Sequence, residues 1–308
     1  MITIQNGVWP TMITPFTEDG ALDLEKIPQM VNWYVSRGCA GVFAVCQSSE
    51  MYALSLNERV RLAEAVVEAA NGRLGVIASG HISDDMQEQI REMRAMAQTG
   101  IQALVLVNNH LARQGMPDCV WKENAQRLMD ALPPDMPLGI YECPVPYKRL
   151  MTPELLNWCA ETGRFAFLKD TSCDTEQIRE KIEATRGSNL KIFNANSATL
   201  LETLRLGAAG FSGVMGNFHP ELYVWLCRHY ADQPEQAQLL QALLSIMSGI
   251  ERQCYPMSGK YHMRLSGVDM QLKCRPGADK PFEYAARLEV EQALLLEDYA
   301  RKTLGIEI

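Results

Sequence analysis

A chain of 308 residues that is 47% hydrophobic and 21% charged has enough apolar side chains for a large core and too few charges to stay disordered. Its formal net charge of −8 offers no basic field to a nucleic acid or an anionic bilayer. No apolar run reaches the length of a membrane span, and the N-terminal MITIQNGVWP has neither the basic nor the apolar region of a leader, so a cytoplasmic protein without nucleic-acid or membrane partners is expected. Nine cysteines without a C-x-x-C and five histidines without H-x-x-x-H spacing argue against a disulfide framework and against a metal site.

In chain order one pattern recurs: a short apolar run, a polar turn, an amphipathic stretch. Val8 to Ile13 is the first run, and the segment from Leu22 to Ser36 has helical spacing in Ile27, Met30, Val31 and Tyr34. Gly41 to Val45 reads as a buried strand, and Ser55-Leu-Asn-Glu58 as a capping box that opens a helix. Leu74 to Ser79 is the third run, followed by Ser83 as N-cap of a helix reaching Gln98. Ala103 to Val107 and Leu138 to Tyr141 come next with a helix between them, then Thr152-Pro153-Glu154 as a helix start, the strand Phe165 to Lys169, and a helix capped by Asp174. Lys191 to Asn194, a helix over Ala198 to Leu206, and Gly210 to Gly213 complete eight β/α units. Eight alternations predict an α/β fold of the (β/α)8 TIM-barrel type, since a doubly wound sheet more often stops at five or six strands and no G-x-G-x-x-G follows a strand. From Glu235 onward the sequence reads as further helices, giving a barrel over 1–232 and a C-terminal helical extension over 233–308.

Barrel enzymes carry their chemistry at the C-terminal ends of the strands. The sixth run, Phe165-Ala-Phe-Leu-Lys169-Asp-Thr-Ser172, places Phe165, Phe167 and Lys169 on one face. An ammonium among phenylalanines loses hydration, so its pKa falls and the neutral amine can attack a carbonyl to give a Schiff base. The plain alternative is a strand-end lysine whose head reaches water. The second strand runs into Cys46-Gln47-Ser48-Ser49-Glu50, where small hydroxyl residues could meet a carboxylate, and the fifth ends at Tyr141, a phenol able to move protons. A simple turn and a core aromatic are the competing readings there.

These ends, with Pro10-Thr-Met-Ile-Thr-Pro-Phe16, Asp19-Gly20, Leu54-Ser-Leu-Asn-Glu-Arg59 and Leu206-Gly-Ala-Ala-Gly210, resemble the N-acetylneuraminate lyase and dihydrodipicolinate synthase family of class I, Schiff-base aldolases over nearly the whole chain. The resemblance implies that Lys169 forms an imine with pyruvate or another 2-oxo acid, that Tyr141 relays protons, and that Ser48, with Ser49, binds the carboxylate. It implies a small-molecule substrate, no cofactor, and a homotetramer built as a dimer of dimers. Gln47, Thr171, Ala195, Ser212 and His110 are further candidates for substrate contact, and Lys148 and Arg149 for its distal end.

The departures matter as well. Cys46, Gln47 and Ser49 replace the loop's first glycine, first hydroxyl residue and second glycine; Pro146 stands where the synthase has a carboxylate-binding arginine; and Asn108-Asn-His-Leu111 lacks the tyrosine that the synthase lends to its neighbour. Asn194 to Ala198 offers no acidic group such as the neuraminate lyase uses on sugar hydroxyls. The expectation is therefore a Schiff-base-forming lyase, an aldolase or dehydratase of pyruvate-derived 2-oxo acids with deoxy-oxo-sugar acids as one candidate class, rather than either named activity. The second expectation is a 2-oxo-acid-binding sensor without turnover on the same fold.

Overall fold

The computed structural model describes residues 4–275 and 281–306. Eight parallel strands, β1 Gly7–Val8, β2 Gly41–Phe43, β3 Gly75–Ala78, β4 Ala103–Val107, β5 Leu138–Tyr141, β6 Phe165–Asp170, β7 Lys191–Asn194 and β8 Gly210–Phe211, pair in ring order from β2 round to β8 and on to β1. Pro10 has no N–H to give, which ends the first ladder after Val8 instead of at the expected Ile13. The ring nevertheless closes: Thr11 bridges Phe43, the Phe43 amide donates to the Pro10 carbonyl at 2.8 Å, and the Met12 amide donates to the Phe43 carbonyl at 2.9 Å. This is the TIM barrel read from the alternation.

Helices α1 Ile27–Ser36, α2 Leu56–Ala70, α3 Met86–Ala97, α4 Asp118–Ala131, α5 Pro153–Glu161, α6 Thr175–Ala184, α7 Leu200–Leu206 and α8 Pro220–His229 alternate with the strands. The Ser55 hydroxyl accepts from the Glu58 amide while the Glu58 carboxylate accepts from the Ser55 amide, so the capping box forms as the sequence predicts. Thr152 and Asp174 cap α5 and α6. Ser83 does not cap α3. Asp85 does, accepting from the Gln87 and Glu88 amides, both at 3.0 Å, because a carboxylate placed there meets two free amides at once. The helix expected from Ala198 starts at Leu200, since the Asn196 side chain holds the Thr199 amide in the preceding turn. The stretch of α8 carried no expectation of its own.

Inside the barrel the aromatic residues meet one another. Phe167 stacks on Phe193 at 4.5 Å, Trp9 meets both edge-on, and Phe43 lies edge-on to Phe167 and to Tyr141. A β-carbon on Gly41 or Gly75 would fall within 2.5 Å of the Trp9 ring, so these two strands need glycine where the indole crosses them. Lys169 follows Phe167 by one repeat of the strand and stands one layer nearer the open end.

The remaining helices are α9 Pro234–Met247, α10 Met257–Leu265 and α11 Tyr284–Leu304. The helices expected from Glu235 onward begin one residue earlier, at Pro234, and the first of them gives way at Ser248–Arg252 to a 3-10 segment. That segment leads the chain back over the mouth of the barrel.

Candidate active site

The C-terminal ends of the strands open into a cavity of about 750 Å³. Lys169 lies at its floor, 5% exposed, with Nζ 4.4 Å from the centre of the Tyr141 ring and no carboxylate paired to it among the described residues. Burial pushes its pKa below the ordinary lysine value, against the smaller opposing pull of Cys46, Cys143, Glu251 and Glu142. Tyr141 is itself buried, and burial, with Cys143 and Cys46 beside it, pushes its phenol well above the ordinary value. A largely desolvated amine beside a phenol that keeps its proton is a nucleophile next to a proton donor.

The loop after β2 is a tight 3-10 turn, Gln47–Ser49. Ser49 spends its hydroxyl and its amide on holding that turn: the hydroxyl accepts from the Cys46 amide at 2.7 Å and donates to the Cys46 carbonyl at 2.6 Å, and the amide donates to the same carbonyl at 3.1 Å, while the Ser49 carbonyl accepts from the Thr14 hydroxyl at 2.8 Å. Ser49 is therefore outside the cavity lining, and the expectation that it orients a substrate carboxylate is corrected to holding the loop that presents Ser48. Ser48 does line the cavity, donating to Thr11 Oγ1 at 3.1 Å, and Gln47 lines it beside Tyr141. The left-handed residue of the loop is Glu50, φ 60°, so the β-carbon gained at Ser49 costs no backbone strain. The buried Glu50 carboxylate is pinned by Lys260 Nζ at 2.8 Å and by the Arg275 amide at 2.7 Å, which fastens the loop to the C-terminal extension.

A buried ion triad fixes β5 against β6. Lys181 Nζ, from α6, donates to Glu142 Oε1 at 2.6 Å and Asp170 Oδ2 at 2.5 Å, and each carboxylate belongs to the residue directly after Tyr141 or Lys169. Glu142 also accepts from the Met151 amide at 2.7 Å and the Thr171 amide at 2.9 Å. Burial raises the Glu142 carboxyl to about 7 against the pull of Lys181; burial works against the Lys181 ammonium too, but the two carboxylates outweigh it and hold its pKa above the ordinary value. Lys181 carried no sequence signal beyond sharing the apolar face of Ile178.

Thr171 and Ala195 line the cavity, and Lys148 lines it with its ammonium on the Thr171 carbonyl at 2.7 Å. Ser212 does not: its hydroxyl is turned to the Trp9 carbonyl at 2.8 Å. Arg149 is spent on Asp118 and the Met116 carbonyl. His110 stands behind the lining, 3.3 Å from the Tyr52 hydroxyl. The sequence reading missed Tyr52, Glu251, Arg252 and Tyr255, all of which line the cavity. Burial raises the pKa of Glu251, opposed by Arg252 and by Lys169. These residues sit on 3-10 segments and turns, which have no periodicity to read.

His219, His262 and Glu297 form a buried cluster whose donor atoms lie within 4.8 Å of one another. Burial holds both imidazoles neutral, and the carboxylates of Glu297 and neighbouring Glu221 face the guanidinium groups of Arg301 and Arg37. Burial also raises the pKa of both carboxyls, that of Glu221 to about 8, against the pull of these guanidinium groups.

The model of the dihydrodipicolinate synthetase family matches residues 5–295. The chain belongs to that family. As a member it is a lyase of the class I aldolase type. Among curated relatives, the 4-hydroxy-tetrahydrodipicolinate synthase of Cereibacter sphaeroides is 30% identical over 70% of this chain and 72% of its own length. That of Methanosphaerula palustris is 26% identical over 73% of the chain and 76% of its own length. In fold the family member superposes on a dihydrodipicolinate synthase of Bacillus anthracis with a TM-score of 0.86 at 20% identity, covering 96% of this chain and 99% of that one. A prophage protein of the dihydrodipicolinic acid synthase family from E. coli K12, solved with pyruvate, gives a TM-score of 0.85 at 20% identity over 95% and 98% of the two chains.

Proposed function

We propose that this protein forms a Schiff base between Lys169 and the keto carbon of pyruvate or a pyruvate-derived 2-oxo acid, and makes or breaks a bond at the adjacent carbons. The observation that carries the reading is the buried Lys169 amine, without a carboxylate partner among the described residues, over the Tyr141 ring at the floor of the cavity. Family membership supports it. Ser48 is assigned to the substrate carboxylate and Tyr141 to the proton, while the imine acts as an electron sink so that cleavage leaves an enamine.

Glu251, Arg252 and Lys148 line the same cavity and are assigned to the distal part of the substrate. A carboxyl group there offers hydrogen bonds to hydroxyls, which favours a deoxy-oxo-sugar acid. The same two cations could instead hold the carboxylate of aspartate semialdehyde in place of the arginine that Pro146 replaces, and the relatives' names favour that second reading, 4-hydroxy-tetrahydrodipicolinate synthesis. A panel of hydroxylated 2-oxo acids, run beside pyruvate with aspartate semialdehyde, separates them. The expected result is turnover of the first group; rapid condensation of the second pair, with none of the first, would contradict it.

A homotetramer of two dimers is proposed on the same family grounds. Leu239, Ile246, Tyr284, Leu295 and Tyr299 lie mostly exposed on α9 and α11, apolar area of the kind that association covers. Light scattering at micromolar concentration is expected to give the mass of four chains; a monomer mass would contradict it.

A further inference from the structure

A buried phenol that hands a proton to a substrate must recover one from water before it can act again, and Tyr141 is only 3% exposed. Its hydroxyl donates to Gln47 Oε1 at 3.4 Å, and the Cys143 thiol donates to the same oxygen at 3.6 Å, which sets phenol and thiol side by side. On the other side the thiol is 3.7 Å from the Tyr52 hydroxyl, which is 3.3 Å from His110 Nε2, and His110 Nδ1 is 3.1 Å from Asp84 Oδ1. Tyr52 is 37% exposed and the Asp84 side chain 74%, so this path ends in solvent. The Gln47 carbonyl oxygen can only accept, whereas a thiol donates and accepts, which makes Cys143 the group able to connect the two phenols.

We propose that Cys143 and Tyr52 form with Tyr141 a proton relay contained within one chain, the thiol passing protons between the two phenols. The proposal rests on the imine reading of Lys169. When the enamine carbon is protonated, its π electron pair forms the new C–H bond and the nitrogen lone pair restores the iminium. The Tyr141 O–H breaks, its oxygen takes the Cys143 proton, the sulfur takes the Tyr52 proton, and the Tyr52 oxygen takes one from water beside His110. One proton passes from solvent to carbon, and the reverse sequence removes one. At rest the Tyr52 hydroxyl donates to the Val145 carbonyl at 3.0 Å, so rotation about its C–O bond connects the path. The charged and titratable groups around it are Lys169, Cys46 and Cys143 at Tyr141, and Cys143, Asp84 and His110 at Tyr52.

Exchange of the pyruvate methyl protons in deuterium oxide, followed by proton NMR, reads this path without knowledge of the acceptor substrate. Borohydride trapping with pyruvate, run in parallel, reads imine formation alone. Cys143→Ala and Tyr52→Phe are expected to trap pyruvate yet exchange its methyl protons roughly 100-fold more slowly, and Cys143→Ser to recover most of the rate, since a hydroxyl also donates and accepts. Wild-type exchange in Cys143→Ala and Tyr52→Phe, with trapping intact, would overturn the relay. Failure of the unaltered protein to trap any 2-oxo acid would overturn the imine and the relay with it. Tyr52→Phe removes only a partly exposed hydroxyl and so decides the matter even where Cys143→Ala does not fold.

Discussion

Lys169→Met is expected to abolish turnover while making the chain more stable. The amine is the group that bonds to substrate, so its loss should lower the rate by about a thousandfold or more, equivalent to about 4 kcal/mol of barrier. The same amine is a poor fit to its surroundings, buried over the Tyr141 ring without a carboxylate partner among the described residues, and replacing it with an apolar side chain of similar length should add about 1–3 kcal/mol of stability at pH 7. The sign follows from linkage. The folded pKa lies below the unfolded value near 10.5, so the unfolded chain binds the proton more tightly and the native state is penalised at every pH below the folded pKa. That penalty fades as pH rises toward 10.5, and the gain from Lys169→Met should shrink with it. Urea midpoints of both proteins at neutral and alkaline pH measure this. A variant that is inactive and also less stable at pH 7 would show that the amine is not held at a cost.

Lys181→Ala is expected to have the opposite character. It removes the cation between two carboxylates that are 0% exposed, and breaking a buried pair of this kind costs about 3–5 kcal/mol because charge is left without a partner. A large share of a domain's net stability would go with it. Imine formation should weaken too, since Glu142 and Asp170 hold the strand ends that carry Tyr141 and Lys169. Lys181→Met, which restores the stem but not the charge, should recover little of the loss if the charge is what matters. Chemical denaturation of both variants gives the result, and near-wild-type midpoints would contradict the role assigned to the triad.

Lys181 also shows where reading the sequence stops. The period-2 alternation of Phe165, Phe167 and Lys169 put the lysine on the inner face, and the barrel puts it there. The bounds of β4, β5 and β7 and the capping box of α2 followed from local residue chemistry, and they form as read. Lys181, by contrast, reads as an ordinary helix-surface cation until α6 is packed on the sheet beside two acidic residues from different strands. Tyr52, Glu251, Arg252 and Tyr255 reach the cavity from irregular segments whose course is set by tertiary contacts, such as the bonds of Glu50 to Lys260 and Arg275. Ser49, Ser212 and Arg149 were chosen for donor groups that other parts of the chain already use. The loss of a hydroxyl at Gln47 was legible; the thiol of Cys143 beside it was not, because nothing in the order of residues shows which side chains meet across the mouth of a barrel.

The central claim is the covalent bond at Lys169, and trapping it is the most direct measurement. The protein is incubated with pyruvate and borohydride, its intact mass is taken, and the modified residue is located by peptide mapping. One reduced pyruvyl group per chain on Lys169, absent from Lys169→Met, is the expected result. An unmodified chain with every 2-oxo acid tried, or an adduct on another lysine that persists in Lys169→Met, would contradict it.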